Sequence, residues 1–152
     1  MVRIFVDADA CPVKDEVVRV AARHELPMSF VANTWMRDPD HYLAEKIAVG
    51  NDLDAADKWI AERAGPADIV VTNDIPLARL CVARGALVLR PNGTQLDDNS
   101  IGMAVAARGL TQHLRDTGAI TGGPAAFTKA DRSRFLDKLE SAVQACKRKV
   151  TG

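Results

Sequence analysis

The chain has 152 residues, 47% of them hydrophobic, with 20 Lys and Arg balanced by 20 Asp and Glu. That length is one domain with a core of its own, burying roughly 68–70% of the extended chain's surface, and the charge balance excludes a strong overall field toward DNA or an anionic membrane. Cys11, Cys81 and Cys146 are odd in number, far apart and without CxxC spacing, which excludes a disulfide framework or zinc knuckle and favours a reducing compartment, with cytoplasm as the default.

Val2 to Val6 is short, β-branched and almost wholly apolar, as a strand covered on both faces should be. It meets Asp7 without a signal-peptide h-region, and nowhere is there the run of roughly 18 apolar residues that a membrane span needs, so a soluble, unprocessed protein is expected. Cys11-Pro12 opens a helix in which Val13, Val17, Val18, Ala21 and Ala22 recur at helical spacing, and His24 to Pro27 ends it. Met28 to Ala32 reads as a second strand, Asn33 to Tyr42 as a loop with a helical turn, and Lys46 to Val49 as a third strand. Asp54 to Ala64 forms a helix closed by Gly65-Pro66, Ala67 to Thr72 the strongest strand, Ile75 to Arg84 a helix and Ala86 to Leu89 another strand.

Strand and helix alternate, so the expected fold is α/β with a mainly parallel central sheet. Helical patterns over 99–117 and 129–149 then form a C-terminal extension, separated by the segment Gly118 to Pro124. A single domain over 1–152 follows, with its core in about 1–95 and its C-terminal helices in about 97–150.

Chemistry concentrates in the acids. Asp7 and Asp9 leave the end of the first apolar run and Asp74 leaves the run Ile69 to Thr72. A parallel sheet places all its strand carboxyl ends on one edge, the edge at which open α/β sheets bind ligands. Asp54 and Asp57 share one face of a helix. Each acid has a purely structural reading as well: a turn or cap for Asp9, an N-cap before Ile75-Pro76 for Asp74, and dipole complementation for Asp57. With all strand carboxyl ends on one edge, Asp7, Asp9, Asp57 and Asp74 could therefore converge, and such a set would repel itself without a counter-ion. That implies Mg²⁺ or Mn²⁺, to which all-oxygen ligation points, or else a shared proton or a basic neighbour such as Lys14. His24, His41 and His113 lack ligand-like spacing and read as surface residues.

The stretch Val6-Asp7-Ala8-Asp9-Ala10-Cys11-Pro12, the strand end Val31-Ala32-Asn33, Asp54 to Asp57, the block Asp68 to Ala78, and Thr121-Gly122-Gly123-Pro124 followed by Asp131-Arg132 resemble the YaiI/YqxD family of uncharacterised bacterial proteins over nearly the whole chain. That family is grouped with PIN-like domains. The resemblance therefore implies a three-layer PIN-like domain and a Mg²⁺- or Mn²⁺-dependent ribonuclease. By motif, Asp7 is similar to the first-strand acid of PIN domains, Asp74 to an acid after a later strand and Asp57 to one on an intervening helix, while Asp9 is an extra acid of this family. A further acid of the usual pattern is missing, and Asn73 or Asp97-Asp98 would have to serve.

The expectation is thus hydrolysis of RNA phosphodiesters, with Asp7, Asp57 and Asp74 as metal ligands and Asp9 orienting water. Lys14, Arg37, Lys129 and Arg132 are the candidate phosphate contacts, Trp35 a candidate base-stacking residue, and the 121–124 segment a candidate phosphate cradle. Two other classes remain open: a non-catalytic RNA-binding or regulatory domain, and a haloacid-dehalogenase-type phosphatase with Asp7 as nucleophile and Asp9 as acid.

Overall fold

The structure, a computed structural model, describes residues 2–9, 11–50, 55–103, 105–106 and 127–151. Strands β1 (Ile4–Asp7), β2 (Met28–Ala32), β3 (Ala44–Ala48), β4 (Ile69–Val71), β5 (Leu87–Leu89) and β6 (Gln95–Leu96) form one sheet in the order β3-β2-β1-β4-β5-β6. All neighbours are parallel except β5 and β6. The helices are α1 (Lys14–Arg23), α2 (Ala55–Arg63), α3 (Ile75–Ala83) and α4 (Lys129–Thr151), with residues 98–103 also helical.

Successive strand side chains point to opposite faces, and the chain fills both. Ile4, Val6, Met28, Phe30, Ile69 and Val71 pack with Val17 and Val20 of α1 and Phe135, Leu139 and Val143 of α4. Phe5, Val31, Val70 and Val88 face the other way, onto Ile60 of α2 and Leu77, Ala78 and Cys81 of α3. The result is a three-layer α/β sandwich, and the two-sided burial explains why the central strands are apolar without alternation. Cys11, Cys81 and Cys146 are free thiols, and among the described residues no helix is long and apolar enough to cross a membrane.

Three local features differ from expectation. The third strand runs two residues earlier than its apolar residues suggest and ends at Ala48; it is an edge strand whose Glu45 and Lys46 are exposed, a composition that discourages edge-to-edge pairing. Residues 33–43 make bends and a turn but no helix. The antiparallel β6 is too short to carry a pattern; it exists because the turn at Pro91-Asn92-Gly93 folds Leu96 back beside Val88.

Candidate functional site

The crossovers from β1 lead to β2 on one side, and the chain later returns to place β4 on the other. The crevice between β1 and β4 is therefore the switch point, where two oppositely directed connections leave the strand carboxyl ends open. A cleft of about 280 Å³ lies there, lined by Asp7, Asp9, Cys11, Thr72, Asn73, Asp74 and Pro91. Three of the four acids singled out from the sequence meet in it.

Asp7 ends β1 half-buried. Burial pushes its carboxyl pKa up; the Thr72 hydroxyl hydrogen bond opposes this, and the charges of Asp74 and Asp9 push it further up, leaving a net rise. Thr72, itself buried, donates its hydroxyl to Asp7 Oδ2 at 2.8 Å and accepts the Asp74 backbone N–H at 3.0 Å. One hydroxyl thus sets the spacing of both acids. Asp74 is the N-cap of α3, its Oδ1 accepting from the Leu77 N–H at 2.9 Å, with Pro76 in the first turn. Capping leaves Asp74 Oδ2, and the Thr72 bond leaves Asp7 Oδ1, without hydrogen bonds among the described residues.

Asp9 differs. Its Oδ2 accepts from the Asn33 N–H at 2.8 Å, and its Oδ1 accepts from the Thr34 N–H at 3.2 Å and the Thr34 hydroxyl at 2.6 Å. Burial raises its pKa, but these hydrogen bonds, with the charge of Lys14, outweigh it and hold the carboxyl below its ordinary value. Asp9 therefore stays ionised and ties the end of β1 to the loop after β2. A carboxylate so engaged is a poor proton donor, which counts against the phosphatase reading. Asn33 continues the connection by accepting the Ala56 N–H of α2 at 3.1 Å.

Asp57 does not line this cleft. It lies on the side of α2 that faces α3, in a groove shared with Pro76, Leu77 and Leu80. Burial pushes the Cys81 thiol up to about 11, Arg84 opposing and the Asp57 charge adding, so the Asp57 field acts on the α2–α3 seam. The packing of α2 decides which way the face that carries Asp57 looks. Asp54 lies outside the described residues.

The basic candidates also separate. Lys14 and Arg37 line a second, larger pocket beside the cleft, and Lys129 is exposed at the start of α4. Arg132 is committed internally: its Nη1 donates to Glu16 Oε1 at 2.6 Å and to the Pro12 carbonyl at 3.1 Å, and its guanidinium lies 5.2 Å from the Phe127 ring centroid. It joins α4 to the first turn of α1 and does not reach out as a phosphate contact. Asp97 accepts the Ser100 N–H at 2.8 Å and so caps the helical residues 98–103. His24 is bonded to Glu140 at 2.7 Å and to Lys147 at 2.9 Å, and is a clasp between α1 and α4, not a solvated side chain. His113 and the 121–124 segment lie outside the described residues.

Two contributors escaped the sequence reading. Thr72 carries no charge to attract notice, and Arg90 donates its Nε–H to Asn73 Oδ1 at 3.1 Å on the rim of the cleft. The available signal was positional: Asn33, Thr72 and Arg90 are each the first polar residue after a parallel strand.

Among the described residues no three His, Cys, Asp or Glu side chains are gathered closely enough to hold a metal ion. A cation there would have to keep most of its water, because Asp7 and Asp74 would each offer one oxygen not used in hydrogen bonding among the described residues. Mg²⁺ has that preference.

A family model described as "Uncharacterized BCR, YaiI/YqxD family" matches residues 5–145. The chain belongs to the YaiI/YqxD family. Similar to it are a UPF0178 protein of Rhodopseudomonas palustris strain BisB18, 57% identical and covering 96% of this chain and 94% of its own, and one of strain CGA009, 56% identical over 98% and 94%. A UPF0178 protein of Gluconobacter oxydans strain 621H is 54% identical over 97% of this chain and 85% of its own. No solved structure gives a significant match. For this YaiI/YqxD chain the match extends from Phe5 in β1 to Ala145 in α4, so it takes in the whole acidic cleft.

Proposed function

We propose that this protein is a PIN-like, Mg²⁺- or Mn²⁺-dependent hydrolase of RNA phosphodiesters, acting at the crevice between β1 and β4. The observation that carries the reading is the meeting of Asp7 and Asp74 in one cleft at the switch point, where burial chiefly, and with it the repulsion of Asp74 and Asp9, raises the Asp7 pKa. A divalent cation would relieve that repulsion, held by the open oxygens of Asp7 and Asp74 with the remaining positions left to water and phosphate oxygens. It would supply Lewis-acid polarisation of the phosphate and a water of lowered pKa. Thr72 fixes the orientation of Asp7, and the Asp74 cap fixes Asp74 against α3. Asp9, engaged on both oxygens, serves as the anchor that holds the 33–34 backbone beside the cleft. In the reaction the oxygen of water bonds to phosphorus, the bond to one ester oxygen breaks, and the products are a phosphomonoester and a free hydroxyl.

The test is cleavage of a fluorescent single-stranded RNA with Mn²⁺ or Mg²⁺, alongside calorimetric titration of Mn²⁺ into the protein. Cation binding and cleavage by wild type, both lost in Asp7→Asn, support the reading. Inert wild-type protein that still binds RNA with a steep salt dependence overturns it in favour of a non-catalytic RNA-binding domain.

A further inference from the structure

Beside the cleft, between α1 and the loop after β2, lies a pocket of about 530 Å³, a volume in the ordinary range for small-molecule sites. Its floor is apolar: Phe30 of β2 is 1% exposed and Met36 8%. Its walls carry three cations, Lys14 and Arg19 from α1 and Arg37 from the loop. Asp15 and Asp40 stand among them, while Asp38 is paired with Lys46 at 2.8 Å. An apolar floor beneath mixed charge suits a nucleotide, whose flat base seeks the floor, whose phosphate seeks the cations and whose hydroxyls seek the carboxylates.

One connection joins this pocket to the acidic site: Asp9, which lines the cleft, grips Asn33 and Thr34, the first residues of the loop that bears Met36 and Arg37. Between these stands Trp35, 85% exposed, lining a smaller depression of about 140 Å³ that shares Met36 with the pocket and has Lys46 in its wall. An indole so exposed gains nothing from the core, while its π-face is open to a base.

We propose that this pocket, together with the adjoining depression that Trp35 lines, is a subsite for one nucleotide of a single-stranded nucleic acid whose neighbouring phosphate lies at Asp7 and Asp74. The inference rests on the phosphodiester reading and adds strand selectivity to it. A base enters the pocket only when unpaired and unstacked, so a duplex is rejected by shape.

The experiment is fluorescence anisotropy of a short labelled oligouridylate, and of a duplex RNA of the same length, with wild type, Trp35→Ala, Arg37→Ala and Lys14→Ala in EDTA over a salt series. Trp35 and Arg37 are exposed, so these two variants fold, and an unchanged thermal transition verifies it. The expected result is preference for the single strand, about tenfold weaker binding by Trp35→Ala, and a salt slope reduced by about one for each lost cation. Equal affinity for duplex and single strand, or wild-type binding by both Trp35→Ala and Arg37→Ala, overturns the subsite. Single-strand binding that depends on Trp35 and Arg37, without cleavage when Mn²⁺ is added, upholds the subsite and removes the hydrolase. Cleavage with the KM of wild type in both variants removes the subsite alone.

Discussion

Three carboxylates in one cleft do different work, and their hydrogen bonds say which. The folded-state pKa of Asp7 is raised, chiefly by burial, so its ionised form costs stability at neutral pH, and that cost disappears as the pH falls below the usual carboxylate value. Without metal, Asp7→Asn should therefore unfold at a higher temperature than wild type at pH 7, while losing the upward shift that Mn²⁺ gives the wild type. Calorimetric melting in EDTA and in Mn²⁺ checks both halves, and a variant less stable than wild type in EDTA would contradict the electrostatic account. Asp9→Asn should behave oppositely, because an amide cannot accept all three bonds that Asn33 and Thr34 donate. A loss of about 1–3 kcal/mol is expected in urea unfolding. Asp74 separates its two roles by substitution. Asp74→Asn keeps a capping oxygen and should keep the melting temperature, whereas Asp74→Ala removes the cap as well, costing about 1 kcal/mol, or about 2–4 °C; both should lose cation binding.

At the scale of elements, α4 is held to the rest of the molecule, besides the His24 clasp, at two places that no periodicity announces. The Gly93 turn, at φ +92°, presses against it so closely that an added Cβ would lie 2.9 Å from the Arg134 carbonyl carbon. Gly93→Ala should lose more than about 1 kcal/mol from backbone strain alone, with the contact adding to it, and unfolding in denaturant measures the sum. Arg132 supplies the second attachment. Glu16 has one oxygen on Arg132 and the other buried without a hydrogen-bond partner among the described residues, so Arg132→Ala leaves the whole carboxylate unsatisfied among them. A loss of about 1–3 kcal/mol is expected, part of it regained in the Glu16→Ala, Arg132→Ala double variant because the stranded charge is gone. A double variant no better than Arg132→Ala would show that the ion pair is not the cause.

For the molecule as a whole, the carboxyls of Asp9 and Glu140 sit below their ordinary values of 3.8 and 4.5, Asp9 through hydrogen bonds that outweigh burial and Glu140 chiefly through Gln144, with His24 and Arg23. A depressed folded-state pKa stabilises above the unfolded value and is lost as the pH falls through the folded one. Stability should hold above about pH 5 and decline below about pH 4, with Asp9→Asn removing part of that decline; thermal melts from neutral pH to pH 3 follow it. The order of elements and the parallel sheet were legible in the sequence because both faces of the sheet are buried, which makes β1, β2, β4 and β5 short apolar runs between amphipathic helices. The positions of Asp7 and Asp74 at strand carboxyl ends were legible for the same reason. What only the tertiary structure decided is direction and partnership. It turned Asp57 toward α3, spent Asp9 on Asn33 and Thr34, spent Arg132 on Glu16, and gave the uncharged Thr72 the spacing of the two remaining acids. Periodicity fixes which residues share a face, but the neighbour that face meets depends on how distant segments pack, and a polar side chain's role is set by which partner reaches it first.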